Sequence, residues 1–432
     1  MNKESYWFYL EPYAYVSIKR DSLFLYNTLD GAILENKAPE ILELVERMQS
    51  NDNLLVVKLE KDFIDQNSSV SHFVADVRRA FMGDLVDTAL SPKKPVQMMP
   101  LLNIQQDIEK TDRIPNLDIG RDIMKYLHEI TIHVNGECTL DCAMCNSAYK
   151  QFLCCYKNSS NHNELKVTII ERIISVAKGV GVSKINIIGG NIFLYPGFDK
   201  LVELLETIPA QKNFYTHYRN LPDQQEITRL LNSESFVLNL LVNFQVKEKE
   251  LDFAVGQVKN IPALKTKFNF IVESGKDIEA AQQLIDRYRI EEYTYKPHFN
   301  GGNLEFLREN VFITQEKILA SRHSMKDIFK KQKVNLFDFG HMVILNNGDI
   351  HTNIDAEKIG NITETTLHEA VYKEMTGGRN WRRTREDVEP CKQCHYNLLC
   401  PSISNYELIL GRNNLCDIMD KNVASGTLHF VA

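Results

Sequence analysis

The 432-residue sequence has no excess of basic residues: 50 Lys and Arg stand against 57 Asp and Glu, for a net charge of −7. That balance argues against a general nucleic-acid binder and against attachment to anionic membranes by charge. No stretch approaches the roughly eighteen consecutive apolar residues of a membrane span. The opening Met1-Asn2-Lys3-Glu4-Ser5-Tyr6-Trp7 lacks the charged-then-apolar layout of a secretory signal, so the expected location is a reducing cytoplasm. There is no internal repeat and no low-complexity segment. Cysteine is absent before residue 138 and again between 155 and 391. What remains is an ordinary globular composition, 44% apolar and 25% charged, in a chain long enough for two to four domains.

The nine cysteines are therefore concentrated. Cys138, Cys142 and Cys145 form C-x3-C-x2-C. Cys391, Cys394 and Cys400 form C-x2-C-x5-C, followed by Cys416, and Cys154 and Cys155 are vicinal. In a reducing compartment such spacing marks metal or redox sites rather than structural disulfides.

Along the chain, residues 6–19 and 23–35 are rich in aromatic and aliphatic side chains, with turn signals at Lys19-Arg20-Asp21 and Asp30-Gly31. A helix is expected over 38–49, a strand over 54–59 and a second helix over 70–82. Four prolines between 91 and 120 mark a linker. From 128 onward, strands at 129–135, 184–189, 212–218, 236–244, 265–273 and 291–297 alternate with amphipathic stretches at 164–179, 197–208, 223–232, 247–260 and 276–289. Such alternation predicts a parallel sheet with outer helices, a partial barrel. A hairpin around Asn347-Gly348 opens the tail.

Cys138 directly follows the first barrel strand, where active-site loops gather. Three thiolates there can hold three irons of a [4Fe–4S] cluster and leave the fourth open. A closed zinc site would need a fourth ligand, which Cys154, Cys155 or His162 could supply. The C-x3-C-x2-C motif at this position resembles the hallmark of the radical S-adenosylmethionine (SAM) superfamily. Gly189-Gly190-Asn191-Ile192-Phe193-Leu194-Tyr195-Pro196, at the end of the second strand, resembles that family's GGE-type motif. The resemblance implies that Gly189, Gly190 and Asn191 bind the methionine part of SAM. Asn191 replaces the usual glutamate and Met144 a usual aromatic. Ribose and adenine contacts are expected from later strands, around Asn243 or Asn269.

Cys391, Cys394, Cys400 and Cys416 resemble the SPASM extension of peptide-maturing radical SAM enzymes. Gly348 matches that pattern, but Asn353 and Ser404 stand where two further cysteines occur. The resemblance implies one auxiliary [4Fe–4S] cluster lost and one kept, although four thiolates also suit zinc. The run Arg379, Arg382, Arg383 and Arg385 beside Trp381 is expected to be a solvated surface, with contact to a peptide or acidic partner as the alternative.

The first ninety residues look like a PqqD-like, winged-helix peptide-recognition element. Such elements capture a peptide by strand addition at a sheet edge. Tyr13, Tyr15, Phe24, Tyr26 and Leu29 would form the edge and groove, or else core. Cys154 and Cys155 are expected to pack as small hydrophobes, the alternative being an added ligand or hydrogen-atom donor.

Over nearly the whole chain, the sequence resembles radical SAM/SPASM-like proteins of ribosomal-peptide maturation, closest to a pseudo-radical-SAM group of Bacteroidales GG-type systems. Four segments carry the likeness: 6–12, 150–155, 189–196 and 400–407. The implied fold class is α/β, a partial (β/α)6 radical SAM barrel flanked by a small N-terminal α+β domain and a C-terminal SPASM/twitch-like cluster domain. The implied division is 1–90 for peptide recognition, 91–120 linker, 121–325 barrel and 326–432 cluster domain. The implied partners are a ribosomally made precursor peptide and a companion radical SAM maturase, with no nucleic acid and no membrane. The implied activity is SAM cleavage and hydrogen abstraction from the peptide; the alternative is a silent partner that binds precursor and companion.

Overall fold

In the computed structural model the described residues are 4–97, 120–158, 163–223, 225, 227, 234–243, 246–261, 264–354, 356–378 and 380–418. Most of the expected linker, the helix expected over 223–232, His162 and Arg379 lie largely or wholly outside them. No described helix is long and apolar enough to cross a membrane.

The N-terminal strands are β1 (Ser5–Leu10), β2 (Ala14–Lys19), β3 (Ser22–Asn27), β4 (Ile33–Asn36), β5 (Val56–Glu60) and β6 (Gly83–Asp87). They form two three-stranded sheets, ordered β5-β1-β6 and β2-β3-β4. Helix Pro39–Gln49 turns Ile41, Leu44, Val45 and Met48 inward, the spacing of one helical face. Helix Ser68–Arg79 does the same with Val70, Phe73, Val74 and Val77, and Asn67 caps its start by accepting from Val70 N. Together they pack Phe8, Leu10, Leu23 and Leu25 into one core.

The face of β2–β3 that carries Tyr15, Phe24 and Tyr26 is not an open groove. All three are buried among Ile318, Ile328, Tyr396, Leu399, Cys394 and Cys400. Phe24 stacks on His395 at 5.7 Å and meets Tyr396 edge-on at 5.1 Å. The hairpin is apolar on both faces because distant parts of the chain cover both. Leu29 stays 62% exposed, and Tyr13 donates its hydroxyl to Phe81 O at 2.7 Å.

A nine-stranded sheet dominates the rest of the molecule. Its strands are β7 (Glu129–His133), β8 (Lys184–Ile188), β9 (Gln211–His217), β10 (Phe236–Val242), β11 (Lys265–Val272), β12 (Tyr293–Pro297), β13 (His341–Ile344), β14 (Asp349–His351) and β15 (Gly360–Asn361). The six strands β7 to β12 lie parallel in chain order. Helix Val167–Val180 shows why the units close: Ile170, Ile173, Ile174 and Ala177 face the sheet. Gly181, at φ 72°, ends it in the left-handed conformation that glycine adopts freely.

The expected tail hairpin does not stand apart. β13 pairs in parallel with β7, from His341 opposite Glu129 to Ile344 opposite Ile132. One sheet thus runs from the six parallel strands into the C-terminal region. The outward faces of its strands are apolar, but the inner face carries a buried polar row. Asn213 Nδ2 donates to Asn186 Oδ1 at 2.9 Å, and Asn269 Nδ2 to Asn239 Oδ1 at 3.4 Å.

Candidate active site and C-terminal thiol centre

Three loops leaving the ends of β7, β8 and β9 converge on one cavity. It is lined by Cys138, Cys142, Cys145, Met144, Cys154, Cys155, Lys157, Gly190, His217, Asn220 and Asn243, among others. The first cysteine group is therefore brought together, and Gly190 and Asn243 join it. Asn269 sits in the polar row instead.

The close approach of the second loop to the first depends on glycine. A Cβ on Gly190 would stand 2.1 Å from Glu137 O and 3.1 Å from Cys138 Cβ. One on Gly189 would stand 2.6 Å from Asn135 Oδ1, a buried oxygen with no partner in the protein. Main-chain bonds stitch the contact: Gly190 N donates to Asn135 O at 3.0 Å and Asn191 N to Glu137 O at 2.6 Å. The side chain of Asn191 turns back on its own loop, where Oδ1 accepts from Phe193 N at 3.1 Å.

All three thiols are half-buried. Burial pushes the Cys142 thiol up to about 11, helped by neighbouring Cys145 and Cys138. Burial also raises Cys145, against a main-chain donor, Lys157 N, 3.3 Å from its Sγ. Leu140 N and Asn220 Nδ2 point at Cys138 Sγ from 3.4 and 3.6 Å. His217 is neutral near pH 7, because burial lowers it to about 4, and it bonds Asn243 Oδ1 at 3.2 Å. Cys154 is buried against Ala148, Phe152, Leu241 and Ile271, the packing role expected of it.

A second cavity of about 440 Å³ shares Met144, Asn243 and Ile271 with the first. On its wall a hydrogen-bonded chain runs from Glu273 Oε1 to His298 Nδ1 (2.7 Å) and from His298 Nε2 to Ser147 Oγ (2.9 Å). Asn300 holds the other Glu273 oxygen at 2.8 Å. Sequence reasoning did not single out His217, Asn220, Glu273 or His298. Their common signal is position, since each follows or ends a parallel strand.

The second cysteine group is buried throughout. Cys391, Cys394, Cys400 and Cys416 are 6–8% exposed. Burial raises the thiols of Cys391, Cys394 and Cys400, and the charges of neighbouring members of the group add to each rise. Part of the basic run departs from a solvated surface: Trp381 is fully buried and Arg385 is 7% exposed, while Arg382 and Arg383 are half-buried. Arg385 is drawn inward because Glu407, at 2.6 Å, and Cys391 Sγ, at 3.5 Å, receive its guanidinium. Asn353, at one position of missing cysteine, donates to Asp338 at 3.3 Å and bonds Asn405. Ser404, at the other, caps helix Asn405–Ile409 in a reciprocal box with Glu407.

A zinc ion needs its ligands converging on one point. Among the described residues no three His, Cys, Asp or Glu side chains do so. A [4Fe–4S] cluster takes one thiolate per iron. By donor type alone, the three thiols that line the first cavity and the four buried thiols of the second group are ligands of the kind that chemistry uses.

No family model matches the chain, and no curated protein matches it in sequence. Among solved structures, Streptococcus suis SuiB bound to its precursor peptide SuiA is similar at 15% identity, over 94% of this chain and 97% of that one, with a TM-score of 0.52. SuiB bound to S-adenosylmethionine matches over the same spans at 15% identity and a TM-score of 0.48. HydG, a maturase of the [FeFe]-hydrogenase, matches 47% of this chain and 56% of its own at 11% identity, with a TM-score of 0.27. The first of these likenesses is one of fold: a mixed α/β molecule built on a large parallel sheet.

Proposed function

We propose that this protein is an iron–sulfur, radical SAM-type protein acting in the maturation of a ribosomally made peptide in the cytoplasm. The observation that carries the reading is the cavity where Cys138, Cys142 and Cys145 meet Gly190 at the strand ends of a parallel half-barrel. In this reading the three thiolates hold a [4Fe–4S] cluster with one open iron, and Gly189, Gly190 and Asn191 line the place of the SAM methionine. The second cavity takes the nucleoside, with Asn243 and Ile271 on the boundary between the two.

Held by Cys138, Cys142 and Cys145, a [4Fe–4S] cluster would supply the one-electron reductive cleavage of SAM that precedes hydrogen-atom abstraction from the peptide. The chain's own residues orient and seclude. Leu241, Ile271 and Cys154 make an apolar wall that keeps water from a reactive radical. Neutral His217 and Asn243 offer a fixed hydrogen-bonding edge. Cys391, Cys394, Cys400 and Cys416 hold one auxiliary [4Fe–4S] cluster with every iron ligated, suited to structure or electron transfer. The proposed domains are residues 1–90 for peptide recognition, 91–120 as linker, 121–325 for the radical centre and 326–432 for the auxiliary cluster. The SuiB–SuiA complex is of a like fold and contains a precursor peptide, which supports that partner class here.

One observation favours a second reading, a catalytically silent protein that binds precursor and a companion maturase. Asn191 spends its side-chain oxygen on Phe193 N and, unlike a glutamate, brings no negative charge to an amino group. The deciding experiment is 5′-deoxyadenosine release from SAM by anaerobically reconstituted, reduced protein, with Cys142→Ala as control. Release that vanishes in the variant supports the enzyme. No release from fully loaded protein, alone or with the companion, moves the assignment to the silent partner.

A further inference from the structure

The four C-terminal thiols are surrounded by nitrogen donors, and the strongest of them is tied to a position from which a cysteine is missing. Arg385 is almost wholly buried. Its Nη1 lies 3.5 Å from Cys391 Sγ, its Nη2 2.6 Å from Glu407 Oε1, and its Nε donates to Pro401 O. The other Glu407 oxygen accepts from Ser404 N at 2.9 Å and Ser404 Oγ at 2.6 Å. A continuous chain thus runs from Ser404 through Glu407 and Arg385 to Cys391.

Two neutral amides complete the ring. Asn414 Nδ2 stands 3.7 Å from Cys416 Sγ. Asn397, between Cys394 and Cys400 in sequence, is 2% exposed, and neither atom of its carboxamide has a partner within the protein. Buried amides are almost always hydrogen-bonded, so this orphan carboxamide is free to donate to a group bound in that segment.

We propose that Arg385, held by Glu407, is a positioning residue that donates to the sulfur of a cluster on Cys391, Cys394, Cys400 and Cys416 and raises its reduction potential. Asn397 and Asn414 act in the same direction without charge. The inference rests on the reading of these four cysteines as cluster ligands. Its physics is electrostatic: one-electron reduction makes the cluster more negative, and a cation or N–H donor at sulfur stabilises that form. Glu407 partly offsets the guanidinium, so the two members of the pair push the potential in opposite directions.

The test uses the full chain with Cys138→Ala, Cys142→Ala and Cys145→Ala, so that only the C-terminal centre is loaded. Protein reconstituted with iron and sulfide is assayed for both, then titrated with dithionite while the electron paramagnetic resonance of the reduced cluster is followed. The expected content is about four irons per chain. Arg385→Gln lowers the midpoint potential, Arg385→Lys lowers it less, Asn397→Leu lowers it slightly, and Glu407→Gln raises it. Full iron with unmoved potentials overturns the proposal, as does a shift of the same sign in Arg385→Gln and Glu407→Gln. Absence of iron overturns the cluster reading beneath it, and the iron assay separates the two failures. Should Arg385→Gln not retain its cluster, the signs for Glu407→Gln and Asn397→Leu decide.

Discussion

The two groups of cysteines share an element and differ in how they are surrounded. Around Cys138, Cys142 and Cys145 the thiols are half-buried, their donors are mainly main-chain N–H groups, and a cavity opens beside them. Around Cys391, Cys394, Cys400 and Cys416 the thiols are buried, an ionised guanidinium touches one of them, and aromatic core presses on two. On the proposed reading, three thiols and space suit a centre that exchanges a ligand, and four thiols with a charged lining suit one that stays closed. The contrast lies in the packing, since thiols of both groups are raised by burial and must lose protons to bind metal.

The sharpest way to break this contrast is to remove one thiol from each centre. Cys142→Ala should abolish 5′-deoxyadenosine release while about four irons stay bound. Cys400→Ala should lose the C-terminal iron and also lower the denaturant midpoint of unfolding, because Cys400 shares a core with Tyr15 and Phe24. Equal stability in the two variants would erase the distinction between an open and a closed centre.

A Cβ at Gly190 tests the barrel site alone. Gly190→Ala should cost about 1–3 kcal/mol by overpacking and remove SAM binding and barrel iron, with the C-terminal iron kept. Gly256→Ala, with nothing within 4 Å of its added carbon, is the control, and should stabilise helix Glu248–Lys259 by about 0.5–1 kcal/mol. Denaturant titration and iron assay read both.

Asp338 sharpens the other side. Burial pushes its carboxyl up to about 7, although Asn353 donates to it. The folded value thus lies above an unfolded value near 3.9, so the group favours the fold most at low pH. That contribution is lost as pH rises from about 4 to about 7. Asp338→Asn should remove this slope, so the stability of wild type minus variant falls across the window and levels above it. Unfolding at several pH values would show a flat difference if Asp338 did not titrate there. The smallest effect is expected from Asn191→Glu: SAM binding about fivefold tighter by calorimetry, as a neutral contact becomes charge-assisted.

Much of the barrel was legible because its strands are short apolar runs bounded by amphipathic helices, a signal contained in each segment. The six parallel strands fall within a few residues of their expected positions. That Cys138, Cys142 and Cys145 share one cavity was legible from their spacing after a strand, and that Gly190 joins them from the resemblance of 189–196 to a family motif. What was not legible depended on remote partners. Tyr15, Phe24 and Tyr26 look like a groove until residues 318–400 cover them. Arg385 belongs to a basic run that any local reading sets in solvent, and remote partners, Glu407, Cys391 and Pro401 O among them, explain its burial. The pairing of β13 with β7 joins residues more than two hundred apart, and no window contains both.

That last pairing has a consequence for how the molecule is made. On the ribosome, β7 emerges early but gains its second neighbour only when residues 341–344 follow, after all the other parallel strands. Until then the strand that delivers the first cysteine loop is an edge, open to wrong pairing. The N-terminal hairpin waits longer, since its aromatic face is covered only by residues up to Cys400. Synthesis through the C-terminal cysteines, rather than of any one segment, is therefore the event that brings both groups of thiols to their final packing.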